Sequence, residues 1–264
     1  MQVTLMQGIL LAVAAMIIGV DFWLEALFIF NPLIVATIAG IILGDVQLGL
    51  ISGAICALAF MGLTPAGGTQ PPNPVLAGFM TVVIAHTQGI EPTVAFGLSL
   101  PFSIVMQYII LLFYSGFSFF MPAADKAAEE ADTAALGRLN ILMTGIVAAS
   151  YAVIVFLSAY AAQDAISGIV DIMPEWFEHG LDVAGGMLPA VGFGLLLTVM
   201  MKAKYIPFLI IGFLVANFIH MDNLLPVALL GAAFGLYDFF SAKARDEAIE
   251  AAGKGKVGGS GRGI

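Results

Sequence analysis

Gly62-Leu63-Thr64-Pro65-Ala66-Gly67-Gly68-Thr69-Gln70-Pro71-Pro72-Asn73-Pro74 stands between two apolar runs, residues 46–63 and 75–87. Its four prolines forbid one helix through the stretch, because proline lacks the N–H donor and pushes the preceding residue out of the helical region. Gly67 and Gly68 let a ligand or another backbone come close. Gln70 and Asn73 each offer an amide donor and acceptor, and Thr64 and Thr69 add single hydroxyls. That inventory suits a neutral, polyhydroxylated ligand better than an ion. A second reading stands beside it: an ordinary external loop whose prolines stop two helices, since Pro/Gly/Asn clusters mark turns generally.

The surrounding chain sets this break in a membrane. Of 264 residues 61% are hydrophobic and 10% charged, the mean hydropathy is +1.03, and the first basic residue is Lys126. Such a composition excludes a water-soluble globule and describes an all-α polytopic membrane protein. Cys56 alone can form neither an intrachain disulfide nor a CxxC clamp. The net charge of −9 gives no basic footprint for nucleic acid. Met1 to Val20 is apolar but lacks a basic leader and a cleavage signal, so it reads as a retained first helix.

A bilayer core about 30 Å thick takes roughly 20 apolar residues per helix. The runs are residues 3–20, 27–44, 46–63, 75–87, 96–121, 140–162, 184–201, 205–219 and 224–240. Those at 75–87 and 205–219 are too short to span. Short interrupted segments predict re-entrant hairpins, which lipid tolerates only where protein or a water-filled cavity satisfies the freed backbone groups. Lys126 and Arg138, Lys202 and Lys204, and the basic residues after Ala242 fall on one side if the acidic stretch from Asp164 to Asp182 lies on the other. The carboxyl end is then expected in the cytoplasm. Residues 123–139 predict a surface helix, either a solvated connector or a docking surface for a cytoplasmic partner. Residues 243–264 end in a Gly-rich sequence expected to be a flexible tail beyond a transmembrane domain of residues 1–242.

Asp21, Glu25, Asp45, Asp222 and Asp238 lie near membrane depth, where carboxylates default to functional hypotheses. Asp45 and Asp238 read as helix-end groups. Asp21 and Glu25 flank Trp23 at the end of the first run, so they mark an interface or contribute to a ligand cavity. Gly-xxx-Gly pairs at 40/44, 49/53 and 231/235 predict close helix packing. The stretch Ala184-Gly185-Gly186-Met187-Leu188-Pro189-Ala190-Val191-Gly192-Phe193-Gly194 predicts either a bend or close packing. No phosphate-binding GxxxxGK[ST], HExxH or zinc-type Cys/His grouping occurs. His86, His179 and His220 read as interfacial or loop residues, so no catalytic residue, metal or cofactor is expected.

Taken in order, Asn31-Pro32-Leu33-Ile34-Val35-Ala36, the Gly44-Asp45 step, the GLTPAGGTQPPNP loop, Ala124-Asp125-Lys126-Ala127-Ala128 and AGGMLPAVGFG give the chain a family likeness. Over residues 1–242 it resembles the membrane IIC subunit of the mannose/fructose/sorbose family of phosphotransferase sugar permeases, and its loop looks most like the N-acetylgalactosamine/galactosamine branch. The resemblance implies a core domain with re-entrant hairpins plus scaffold helices in the bacterial inner membrane. It implies a IID membrane partner, assembly as trimers of IIC–IID pairs, and cytoplasmic IIA and IIB proteins that phosphorylate the imported sugar. It also implies that Thr64, Ala66, Gly67, Gly68, Thr69, Gln70 and Asn73 contact that sugar.

Two departures accompany it. Ala57 stands where the family usually has a sugar-binding glutamate, and Asn73 where mannose-type members usually carry Asp. Fewer carboxylates mean fewer strong acceptors for sugar hydroxyls. The expected activity is import of an amino-hexose or related hexose; an ion-coupled secondary transporter and a non-transporting sensor or assembly subunit are the other readings.

Overall fold

The computed structural model describes residues 2–63, 71–219 and 225–257. The described residues are mostly helical, with no strand among them. The chain divides into two compact units, Met1–Val199 and Met200–Ile264.

The first unit begins with α1 (Leu5–Leu24), α2 (Pro32–Leu43), α3 (Val46–Ala59), α4 (Pro74–Gln88) and α5 (Pro92–Gly116). From α5 the chain runs through a 3-10 turn into α6 (Met121–Glu129), and continues with α7 (Thr133–Phe156), α8 (Gln163–Asp171) and α9 (Glu175–Met200). The second unit holds α10 (Ile206–Phe218) and α11 (Leu225–Val257). Among the described residues five stretches are long and apolar enough to cross a membrane: Leu5–Leu24, Pro92–Glu129, Thr133–Ala161, Glu175–Met200 and Leu225–Arg245.

Local chemistry starts these helices where the sequence places a capping group. Thr4 and Gln7 form a reciprocal capping box on α1. Asn31, Asp45 and Asn73 each turn a side-chain oxygen onto the first free N–H groups of α2, α3 and α4. Proline follows at the first position of α2 and α4, where its missing N–H costs nothing. Asp21 closes the other end of α1. Its buried carboxylate accepts from Leu27 N at 2.6 Å and Ile29 N at 2.7 Å, tying down the segment between α1 and α2. Its carboxylate therefore serves the backbone, and Asp45 is the helix-end group its position suggested.

Helix α4 is the centre of the first unit: every residue from Val75 to Ala85 is buried. Helices α2, α3 and α5 pack around it. Helix α1 pairs with α7 in antiparallel fashion, since Val3 N donates to Gln163 Oε1 at 2.9 Å and Gly8 abuts Tyr160. Helices α2 and α3 meet backbone to backbone: a Cβ on Gly40 would lie 2.8 Å from Gly49 Cα. The pairing is thus Gly40 with Gly49, while Gly44 serves as the turn residue at φ +84°.

Several sequence expectations shift. The runs at 27–44 and 46–63 yield helices of only 12 and 14 residues, because Asn31 starts α2 late and α3 ends at Ala59. So α2, α3 and α4 are all too short to span. Residues 123–139 do not make one surface helix. Helix α6 ends at Glu129, Ala131 turns the chain in a left-handed conformation at φ 53°, and Asp132 caps α7. The last helix continues to Val257, past the 243 at which a flexible tail was expected, because Ala, Lys, Arg and Glu dominate residues 242–252.

The glycine-rich stretch at 184–194 packs rather than breaks. Helix α9 runs through Pro189, with Gly185 against the Thr93 carbonyl and Gly192 against the Leu58 and Ala59 carbonyls. In the second unit, Lys204 pairs with Asp238 at 3.0 Å and lies 4.5 Å over the Tyr205 ring, and Phe208 meets Phe234. A Cβ on Gly192 overlaps backbone oxygen that cannot rotate away, whereas Gly194 faces open space. Gly192→Ala should therefore destabilise by about 1–3 kcal/mol, while Gly194→Ala should leave stability unchanged or raise it by up to about 1 kcal/mol, measured by thermal unfolding in detergent.

Candidate functional site

The interruption between α3 and α4 has two described shoulders, ending at Leu63 and resuming at Pro71. The depth of the second is fixed by α5. Asn73 N donates to Ser103 O at 3.1 Å, and Ser103 Oγ donates back to Asn73 O at 2.7 Å. Ser103 lies eleven residues beyond Pro92, so it is about 17 Å along a helix long enough to span. Asn73, the last residue before α4, therefore sits level with the middle of α5. Helices α3 and α4 run antiparallel, linked by Cys56 Sγ to Thr81 Oγ1 at 3.4 Å, and their outer ends both lie away from the break. That is a hairpin which enters and leaves on one side.

Each shoulder is held by a different helix. Gly62, at φ +83°, presses against the backbone of Leu195 and Leu196 on α9, leaving no room for a Cβ. Asn73 is fully buried. Its Oδ1 accepts from Val75 N at 3.1 Å and Leu76 N at 3.0 Å, and its Nδ2 donates to the Tyr151 hydroxyl on α7 at 2.6 Å. Tyr151 is buried too, packed on α1 where a Cβ at Gly19 would overlap its ring. Asn73 thus joins α4, α5 and α7 at one point.

Behind the break runs a ladder of small hydroxyls. Thr81 Oγ1 donates to Ala77 O at 2.7 Å and lies 3.0 Å from Ser99 Oγ, while Ser99 donates to Phe96 O. Ser52 Oγ, on the buried face of α3, has no hydrogen-bond partner among the described residues. Buried polar groups are expensive unless paired, and here Thr81 and Ser99 each donate to a carbonyl of their own helix while meeting each other across α4 and α5.

Of the residues singled out in the sequence, Asn73 is placed, and as an anchor whose amide oxygen is committed to the helix start. Thr64, Ala66, Gly67, Gly68, Thr69 and Gln70 lie outside the described residues, as do His220 and Asp222. Ala57 is half-buried on α3 one turn before the break. Among the described residues no group of three or more His, Cys, Asp or Glu could hold a metal ion. Sequence reasoning missed Tyr151, Ser99 and Ser103. The signal was a tyrosine in the middle of the apolar run 140–162, with Tyr160 nearer its end, and hydroxyls four residues apart in 96–121, the spacing of one helix face.

A polytopic helical bundle whose chain breaks at mid-depth, between helices too short to span, belongs to the class of membrane transport proteins. The family follows from comparison. Residues 5–237 match the family model described as the PTS system sorbose-specific IIC component, and the chain belongs to that family. It is similar to N-acetylgalactosamine permease IIC component 1 of Escherichia coli K12, 60% identical over 94% of this chain and 92% of that protein. The mannose-specific EIIC component of the same organism is 29% identical over 89% of each chain.

Two solved structures share the fold. One, described only as a membrane protein, superposes with a TM-score of 0.80 at 25% identity, covering 90% of this chain and 96% of the other. A cryo-EM structure of the mannose transporter ManYZ with microcin E492 gives a TM-score of 0.58 at 24% identity over the same shares. This chain is accordingly a multi-pass membrane protein and the sugar-translocating IIC subunit of a phosphotransferase-system permease.

Removing the Asn73 side chain uncaps α4 and strands a buried hydroxyl. Asn73→Ala should cost about 1.5–5 kcal/mol, from about 0.5–2 for the cap and about 1–3 for the unpaired group. Asn73→Ser, which keeps a capping oxygen, should cost less than Asn73→Ala. Thermal unfolding of the three proteins in one detergent checks the order.

Proposed function

We propose that this subunit imports N-acetylgalactosamine or a closely related amino-hexose and presents it at the cytoplasmic face for phosphorylation. The observation that supports a translocation site most directly is the depth of the α3–α4 break, fixed by Asn73 on Ser103. A break there exposes backbone groups and amide side chains to a ligand in transit instead of to lipid. The similarity to an N-acetylgalactosamine permease supports the sugar class.

In this reading Thr64, Ala66, Gly67, Gly68, Thr69 and Gln70 face the sugar. Asn73 acts mainly by holding the segment's carboxyl-terminal end. Ala57 leaves the site without a carboxylate on the last turns of α3, which suits a substrate whose acetamido group brings its own donor and acceptor. The α3–α4 hairpin moves with its pack in an elevator or alternating-access step.

Cytoplasmic IIB transfers the phosphoryl group, supplied through IIA, and trapping the sugar as a phosphate makes uptake directional. A IID subunit completes the membrane complex, and pairs of IIC and IID assemble as trimers. Residues 1–242 are the translocating domain of a bacterial plasma-membrane protein, and residues 243–264 a cytoplasmic tail whose first part continues α11. The proposed orientation puts Lys126 and Arg138 on the cytoplasmic side and the acidic stretch from Asp164 to Asp182 on the other.

Vesicles carrying the complete system should accumulate labelled N-acetylgalactosamine as its phosphate only when phosphoenolpyruvate is supplied. Vesicles with this chain and IID alone should show no uptake driven by a proton or sodium gradient. Gradient-driven accumulation of free sugar would instead establish a secondary transporter. Gln70→Ala should raise the KM for uptake about 5- to 100-fold if it leaves a buried sugar hydroxyl unpaired. An unchanged KM removes Gln70 from the site.

A further inference from the structure

We propose that Tyr151 is a positioning residue for sugar recognition: its hydroxyl holds the carboxyl-terminal shoulder of the interrupted segment against the α1–α7 pair. The idea rests on the translocation site proposed above but assigns a role to a residue outside the α2–α5 pack.

Four observations lead to it. Tyr151 lies on α7, which packs chiefly on α1, whereas the break belongs to helices packed around α4. Its hydroxyl nevertheless reaches Asn73 Nδ2 at 2.6 Å, at the last residue before α4 begins. Asn73 does not need this bond to cap α4, because the cap uses Oδ1 alone. Finally, the tyrosine ring is accommodated by a glycine on α1, Gly19, and by an edge-on contact with Phe22, ring centroids 6.5 Å apart. Phenylalanine would fill the same space without burying a polar atom, so packing explains the ring and leaves the hydroxyl to be explained.

Chemically, the bond is a single neutral amide-to-phenol contact in a dry site. It is strong enough to bias the shoulder's position and weak enough to break when the α2–α5 pack shifts against α1–α7. Among the described residues no acceptor takes the Tyr151 proton. A carboxylate at position 73 would accept that proton while still capping α4, so the link tolerates Asp in place of Asn. Serine at 73 would keep the cap but fall short of α7. The cap and the link are therefore separable by substitution.

The test exploits the chain's single native cysteine, Cys56, which is fully buried. Half-exposed Pro71, two residues from the anchor, is replaced in a Pro71→Cys protein, and its reaction with a water-soluble maleimide is timed in membranes. Adding Tyr151→Phe should raise the labelling rate at least about 5-fold, the effect of losing one buried hydrogen bond on a local opening. Adding Asn73→Ser should raise it similarly, and adding Asn73→Asp should leave it near the parent value.

Equal rates with Tyr and Phe at 151, or equal rates with Ser and Asp at 73, would overturn the proposal. The position-73 pair decides the matter even if Tyr151→Phe fails to accumulate. In uptake, Tyr151→Phe without the probe cysteine should raise KM about 5-fold with a maximal rate within about twofold of the parent, where general instability would lower the rate instead. Labelling needs no sugar, so absence of uptake by the parent protein would count against the proposed substrate and leave this inference to the labelling result.

Discussion

A backbone interrupted at membrane depth must find all its hydrogen-bond partners inside the protein, and the rest of this structure depends on how that demand is met at Asn73. Lipid offers no donors or acceptors. The first N–H groups of α4 would each be stranded at mid-depth without a side-chain oxygen to receive them. Asn73 supplies that oxygen, exchanges backbone and hydroxyl bonds with Ser103, and reaches Tyr151. The start of α4 is thus fixed against α5 and α7 together. The completely buried centre of α4 then gives α2, α3 and α5 a common surface on which to pack.

Glycine does for backbone what Asn73 does for polar groups. Gly40 and Gly49 bring α2 and α3 into contact, Gly19 admits the Tyr151 ring, and Gly185 and Gly192 seat α9 on the Thr93 and Leu58 carbonyls. In lipid there is no hydrophobic force to press helices together, so close approach and dispersion contacts hold the unit. The same features suit movement. Helix α9 meets the α3–α5 region at a few close points, supplemented by the Thr93 hydroxyl donating to Asp182, and most of its surface is exposed. In the proposed transport step these close points and the Thr93–Asp182 link are the contacts of α9 that a shift of the α3–α4 hairpin would exchange.

Much of this was legible in the sequence because its physical causes are local. Proline spacing and amide residues marked the break, Asn31-Pro32 and Gly44-Asp45 marked helix ends, and composition fixed the membrane class. What was not legible depends on partners far along the chain. Nothing near Asp21 shows that its carboxylate folds onto Leu27 and Ile29, and nothing near position 73 points to a tyrosine 78 residues later. Hydropathy also overstated α2 and α3, since apolar side chains continue through residues that the chain uses for turns. The tail erred the other way: glycine content hid a run of strong helix formers up to residue 252.

Photoaffinity labelling tests the central claim most directly. A diazirine analogue of N-acetylgalactosamine, activated on membranes containing the complete permease, should attach within residues 62–73 of this chain and be displaced by the unmodified sugar. Displaceable attachment confined to α10 and α11, or to another subunit alone, would contradict a sugar site at the α3–α4 break.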